Sequence, residues 1–271
     1  MKPPKPDPEL NSILDELVRS VQNILDSEFI GAYLQGSFAV GEWDSDRDVD
    51  FLVVVEEDVD ERERATLQRM HGRLYGLPSH WAQHLEGSYV PRKILKREDP
   101  KRTEFLYLDN THRALIRSAH DCTLVVRWVM QECGIPLAGL DPQGLVDPVP
   151  DEHLCREIRS TMCKSSEEII HGRFTIDNRW AQPDVVLSYC RMLHILETGR
   201  IASKGAAARW ARLALDPTWM GRPGPSLRFR RRADPDEFRQ TLEFVRQEVA
   251  IALRCEPDPR PGMDFPNGST G

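Results

Sequence analysis

No run of apolar residues in this sequence approaches the roughly 18 that a membrane-spanning helix requires. The opening Met1-Lys2-Pro3-Pro4-Lys5-Pro6 has none of the apolar core of a secretory signal. The expectation is a cytoplasmic chain with no membrane contact. Cysteine is sparse and scattered, six in 271 residues with no CxxC pair. That spacing argues against a disulfide framework and a zinc site, and predicts reduced thiols, mainly structural and buried. An excess of positive charge is also missing: the net charge is −7 and the pI about 5.7. A duplex or RNA binder draws its affinity from a basic face, so nucleic acid is a poor fit as a partner. An acidic cleft instead concentrates cationic small molecules. No internal repeat is present, which removes solenoid architectures.

What remains is an ordinary globular composition, 40% hydrophobic and 29% charged, long enough for two domains. Leu10, Ile13, Leu14, Leu17, Val18, Val21, Ile24 and Leu25 form one stripe at helical spacing, so a helix is expected over 8–26, opened by Asp7 and Pro8. Strands are expected at 29–34 and 48–55, the second ending in the acidic run 56–58. A solvated helix is expected over 59–75. Trp81 to Leu85 reads as a third strand, closed by Glu86-Gly87. The stretch 91–117 resists assignment, and a helix over 119–133 is expected to join two halves. The second half reads as helical, over 151–171, 184–198 with Gly199 as its stop, and 235–253. The boundaries expected are an α/β domain at 1–140 with a small mixed sheet and helices, a proline-containing linker at 141–150, an all-α helical bundle domain at 151–255, and a disordered tail at 256–271.

The chemistry is concentrated between Leu34 and Leu52. Gly36-Ser37 follows a strand, where glycine permits a tight turn and backbone amides can converge on a phosphate chain. Asp48 and Asp50 are two apart on a strand, so their carboxylates share one face while Val49 and Phe51 take the other. Carboxylates that close repel unless a cation lies between them, and magnesium prefers such oxygen ligands together with water and phosphate. Ten residues separate Ser37 from Asp48, enough for one helical turn to bring phosphate and metal together. Glu86, on the next expected strand, is the candidate third carboxylate of a two-magnesium site, as a ligand of the second ion or as the base that takes a proton from an acceptor hydroxyl. Each piece alone is commonplace; a glycine–serine turn or a DxD on a strand is usually structural. Their order and spacing together carry the reading.

The order Gly36-Ser37, Asp48-x-Asp50, Glu86 resembles the DNA polymerase β-like nucleotidyltransferase superfamily. In the second half, Asp184-Val185-Val186-Leu187 with Arg191, Thr198-Gly199-Arg200-Ile201 with Lys204, and Ala206-Ala207-Ala208 with Trp210-Ala211 are similar to the helical domain of the streptomycin/spectinomycin adenylyltransferases. The resemblance spans residues 28–255. It implies ATP and magnesium held between the two domains, with Asp48 and Asp50 as metal ligands, Glu86 as catalytic base, and Ser37 at a nucleotide phosphate. Arg191 and Lys204 are implied to reach the nucleotide from the helical domain. Where the family has a serine before its first metal aspartate, this chain has Arg47, which either substitutes a charge for that phosphate contact or points to solvent. The family's acceptor-binding positions do not map cleanly. Asp177, Trp180 and Asp184 are candidates for gripping a cationic acceptor, and Tyr107 for stacking on it.

The expected function is therefore transfer of AMP from ATP to a hydroxyl of a small molecule of aminoglycoside type, by a monomer. Two rivals keep the pocket: a transferase that modifies protein or tRNA, and a non-catalytic nucleotide-binding module. Arg228, Arg230, Arg231 and Arg232 form a basic run read as a solvated loop. His112, His120, His153 and His171 lack metal-ligand spacing and read as ordinary polar or packed residues.

Overall fold

Asp7 accepts hydrogen bonds from the amides of Glu9 and Leu10 and so starts helix α1 (Pro8–Leu25), whose stripe of Leu10, Leu14, Leu17 and Val21 is buried. The computed structural model describes residues 7–41, 48–109, 113–173 and 181–214, together with positions 243, 244, 246 and 251. The chain divides into two compact units, Met1–Val149 and Pro150–Gly271.

The first unit is built on a six-stranded mixed sheet. Its strands are β1 (Phe29–Leu34), β2 (Val49–Val55), β3 (Leu85–Pro91), β4 (Phe105–Asp109), β5 (Ala114–Ser118) and β6 (Ile135–Gly139), in the order β5-β4-β3-β2-β1-β6. Only β2 and β3 run parallel, as a long connection through α3 (Glu61–Tyr75) and α4 (His80–Gln83) permits. The other pairs are antiparallel. A full capping box, Asp60 with Glu63, starts α3. On one sheet face Val49, Phe51, Val53, Val55, Leu85 and Tyr89 pack against α1, α3 and α4 in one apolar cluster. Alternation along the strands therefore turns Asp50, Leu52, Glu86 and Ser88 to the opposite face.

Three sequence expectations change here. Residues 81–84 of the expected strand are not strand: Ser79 caps the helical turn α4, Trp81 is buried edge-on against Phe38, and the strand begins only at Leu85. A short apolar run cannot separate strand from helix by periodicity. Glu86 consequently sits at the beginning of β3, not at a strand's end. The solvated helix over 59–75 also has a buried side, with Leu67, Met70, His71 and Leu74 inside. The segment 119–133 forms a turn and then α6 (Leu124–Cys133), started by Thr123; the chain next returns to the sheet as β6, beside β1, before reaching the second unit. Pro136 hid that strand, because proline fits only an edge or a bulge, and β6 is an edge.

Within 91–117, the helix α5 (Arg92–Lys96) precedes β4 and β5. The connection expected as a linker is closely packed: Leu145, Val146 and Val149 are buried, and the Asp147 amide donates to the Lys96 carbonyl at 2.9 Å.

The second unit is helical over its described part: α7 (Asp151–Ile170), α8 (Ala181–Thr198) and α9 (Lys204–Ala214). Tyr189 is buried between α7 and α8, its hydroxyl 2.8 Å from Ser165 Oγ and donating to the Met162 carbonyl at 3.1 Å. Gly199 ends α8 at φ +62°, its amide bonded to the Ile195 carbonyl. Among the described residues Cys122, Cys133, Cys155, Cys163 and Cys190 are not joined in disulfides, and Cys155 and Cys190 are buried. Among the described residues no helix is long and apolar enough to cross a membrane. The helix expected over 235–253 falls largely outside the described residues. The tail 256–271 and the 228–232 arginine run fall wholly outside them.

Candidate active site

β1 delivers the chain to Gln35, whose amide donates to the Asp50 carbonyl at 2.9 Å, and the turn α2 (Gly36–Ala39) starts there. Gly36 has φ +60°, and a Cβ on it would fall inside the Asp50 carboxylate. Glycine is thus required twice, for the left-handed backbone and for the close approach. The Gly36-Ser37 turn and Asp50 form a single surface.

The parallel register places Asp50 directly beside Glu86. The two strands begin side by side, so both carboxylates lie at the same end of the sheet. Asp48 precedes β2, half-exposed, with its Oδ1 3.3 Å from His84 Nδ1. Glu86 is held above the ordinary carboxylate range, chiefly by burial and further by Asp48 and Asp121, while Tyr107 and His120 pull it back. The Tyr107 hydroxyl donates to Glu86 in a short contact, and its ring stacks on His120 with centroids 4.9 Å apart. Burial, then Glu86, raises the Tyr107 phenol far above its usual value, so it acts as a donor. Tyr107 is nearly buried and its ring lies against His120, so its placement is that of a Glu86 partner rather than an open stacking surface.

Beside these groups lies a fourth carboxylate, one that the sequence did not single out. Asp121, nearly buried on the turn before α6, accepts from Ser88 Oγ at 2.6 Å and from Gln35 Nε2 at 3.3 Å. His120 and His84 were likewise missed as neighbours of the carboxylates; neither has a ligand-like spacing in sequence. An Asp-Cys-Thr start to α6, with Thr123 capping, was the available hint that 120–123 is a tight turn.

Among the described residues no three or more His, Cys, Asp or Glu side chains converge into a ready-made metal cage. Magnesium seldom uses such a cage; it binds one or two carboxylates and completes its octahedron with water and substrate phosphates. The donor chemistry fits that pattern: Asp50 and Glu86 in lateral register, Asp48 close enough to raise Glu86, and a glycine turn against the Asp50 carboxylate. Arg47 lies outside the described residues, as do Asp177 and Trp180.

In the helical unit, Asp184 and Arg191 are seven residues apart on α8, two turns, and so share one helix face. Lys204, at the first turn of α9, makes a short ion pair with Asp184. The cation expected at the nucleotide and the acid expected at the acceptor are here partners of each other.

Two family models match the chain. Residues 14–108 match the nucleotidyltransferase domain, and residues 144–248 match the C-terminal domain of aminoglycoside adenylyltransferase. The first match makes the chain an enzyme of the nucleotidyltransferase class. Spectinomycin 9-adenylyltransferase of Staphylococcus aureus (strain Mu50) is 28% identical over 207 residues, 72% of this chain and 75% of the relative. The Campylobacter jejuni enzyme of the same name is 21% identical over 210 residues, 74% of this chain and 78% of its own. The fold is that of spectinomycin adenyltransferase AAD(9) from Enterococcus faecialis, solved with ATP and spectinomycin, at a TM-score of 0.66 and 17% identity over 88% of this chain and 98% of that one. With both halves matched in order, the matches support an aminoglycoside adenylyltransferase-like family.

Proposed function

We propose that this enzyme transfers AMP from magnesium-ATP to a hydroxyl of a cationic, aminoglycoside-type small molecule and releases pyrophosphate. The observation that carries the reading is the Asp50–Glu86 register with Gly36 pressed against the Asp50 carboxylate. It sets a glycine turn, a carboxylate suited to a metal and a carboxyl of raised proton affinity at one end of the sheet, which supports this reading. Asp48, Asp50 and Glu86 would hold magnesium, which when bound neutralises phosphate charge and polarises the α-phosphorus. Glu86 takes the proton of the attacking hydroxyl. The new bond joins acceptor oxygen to α-phosphorus, the bond to the α,β-bridging oxygen breaks, and pyrophosphate departs. Tyr107 orients Glu86 through its hydroxyl. Ser37 contacts phosphate, and Arg191 and Lys204 supply positive charge to the nucleotide. Asp184 is the candidate in the helical unit for a cationic acceptor. That role requires it to exchange Lys204 for the acceptor's ammonium group.

Pyrophosphate release from magnesium-ATP with a panel of aminoglycosides and spectinomycin tests the proposal, with Asp50→Asn as the blank. Release dependent on one of these compounds is expected. Release driven instead by added protein or tRNA would move the acceptor class to macromolecules. Absence of magnesium-ATP binding would overturn the site.

A further inference from the structure

Asp121 is a nearly buried carboxylate outside every motif that identified the site. Both of its hydrogen-bond donors converge on one oxygen, Oδ2: Ser88 Oγ at 2.6 Å and Gln35 Nε2 at 3.3 Å. Those donors come from different strands. Gln35 ends β1 and immediately precedes Gly36, so it sets where the phosphate-facing turn begins. Ser88 lies two residues after Glu86 on the same face of β3, opposite Leu52 of β2. Between β1 and β3 runs β2, the strand that carries Asp50. A single oxygen therefore reaches over β2 and fastens the strands on either side of it.

We infer that Asp121 is a positioning residue of the transfer site, its carboxylate locking the start of the Gly36-Ser37 turn to the strand that bears Glu86. Backbone pairing alone sets strand register, but it does not fix the Gln35 side chain or the twist of the turn beyond it. The Asp121 bridge does, because Gln35 Nε2 and Ser88 Oγ must both point at one atom. Burial makes the bridge stiff: a buried carboxylate pays a full desolvation cost when its donors move away. Misplacement of a reacting group by about 1 Å is enough to reduce turnover on the order of 100-fold. The inference rests on the reading of Gly36-Ser37, Asp50 and Glu86 as the nucleotide site.

The test measures the dissociation constant for magnesium-ATP on the full chain by calorimetry, which requires no acceptor, alongside thermal unfolding without nucleotide. Asp121→Ala is expected to weaken magnesium-ATP binding about 10-fold or more, since its loss releases the turn. Asp121→Asn keeps an oxygen where both bonds converge and is expected to restore affinity to within about 3-fold of wild type. Gln35→Leu should weaken binding in the same direction, and combining it with Asp121→Ala should add little, because both cut one connection. Wild-type affinity in Asp121→Ala, or an Asn variant as impaired as the Ala variant, would overturn the inference. If Asp121→Ala fails to fold, wild-type affinity in Gln35→Leu overturns it instead. Asp50→Asn separates the two levels. If that variant keeps magnesium-dependent ATP binding unchanged, the site reading itself falls. If it loses it while the Asp121 and Gln35 variants bind normally, only the Asp121 inference falls.

Discussion

The two faces of the sheet each bury a tyrosine hydroxyl against a titratable partner, and the partners fare differently. On the helix-packed face, Tyr89 lies 2.7 Å from His71 Nε2, inside an aromatic cluster with Phe51. Burial there lowers His71 to about 3, so the imidazole stays neutral, and its Nδ1 has no hydrogen-bond partner among the described residues. On the opposite face, Tyr107 donates to Glu86, which remains partly accessible and is surrounded by Asp48, Asp121 and His120. The same kind of contact is a buried, neutral packing pair in one case and, in the other, a hydrogen bond to a carboxyl whose proton affinity nearby charges adjust. What differs is whether neighbouring charges are present and whether the titratable group keeps some exposure. Polarity of a residue is not by itself a sign of function; polarity with converging charge is.

That contrast breaks most sharply at Asp50. Asp50→Asn should reduce nucleotidyl transfer at least about 1,000-fold while leaving the thermal midpoint unchanged or higher, since it removes like-charge repulsion. Parallel turnover and unfolding assays check this; retained turnover refutes the metal assignment. Gly36→Ala comes next, because the added methyl enters the Asp50 carboxylate and the backbone is left-handed. A loss of transfer of about 100-fold is expected, with destabilisation of about 1–3 kcal/mol measured by urea unfolding.

Tyr107→Phe sharpens the comparison without moving bulk. The phenol's hydrogen bond favours ionised Glu86, so its removal raises the proton affinity of Glu86 further. The acid limb of the pH–rate profile should shift to higher pH, with a drop of about 10-fold at neutral pH. An unshifted limb would mean that Glu86 is not the titrating base.

The smallest effect on turnover belongs to the packed face. His71 is held well below its unfolded value of 6.5, so below that pH the unfolded chain binds a proton that the folded chain refuses. Folding stability should therefore fall with decreasing pH between about 6.5 and 3, by up to about 1.4 kcal/mol per pH unit from this group. His71→Leu should lower stability at neutral pH, by leaving Tyr89 unpaired, yet flatten that slope and leave turnover unchanged. Denaturant titrations at several pH values decide it; an unchanged slope would show that His71 is not the source.

Sequence periodicity found α1, β1, β2, α7 and α8 because each has a regular apolar stripe or run bounded by a cap or glycine. It failed where packing decides: at Trp81, whose burial favours a helical turn, and at β6, whose proline disguises an edge strand. The core of the site was readable because its parts lie in one short segment, Gly36 to Asp50, where spacing alone fixes which side chains share a face. Glu86 was singled out as a candidate through order along the chain, although its strand begins later than expected.

The amino-acid sequence by itself determined the Gly36-Ser37 and Asp48-x-Asp50 pattern, the caps, and the amphipathic stripes, since these depend on neighbours within a few residues. Only the tertiary structure decided that Asp50 stands beside Glu86, that Gly36 is pressed onto the Asp50 carboxylate, and that Asp121 joins Gln35 to Ser88. Those contacts link residues 14 to 86 positions apart. Strand register and chain crossover set them, and neither is written in local periodicity.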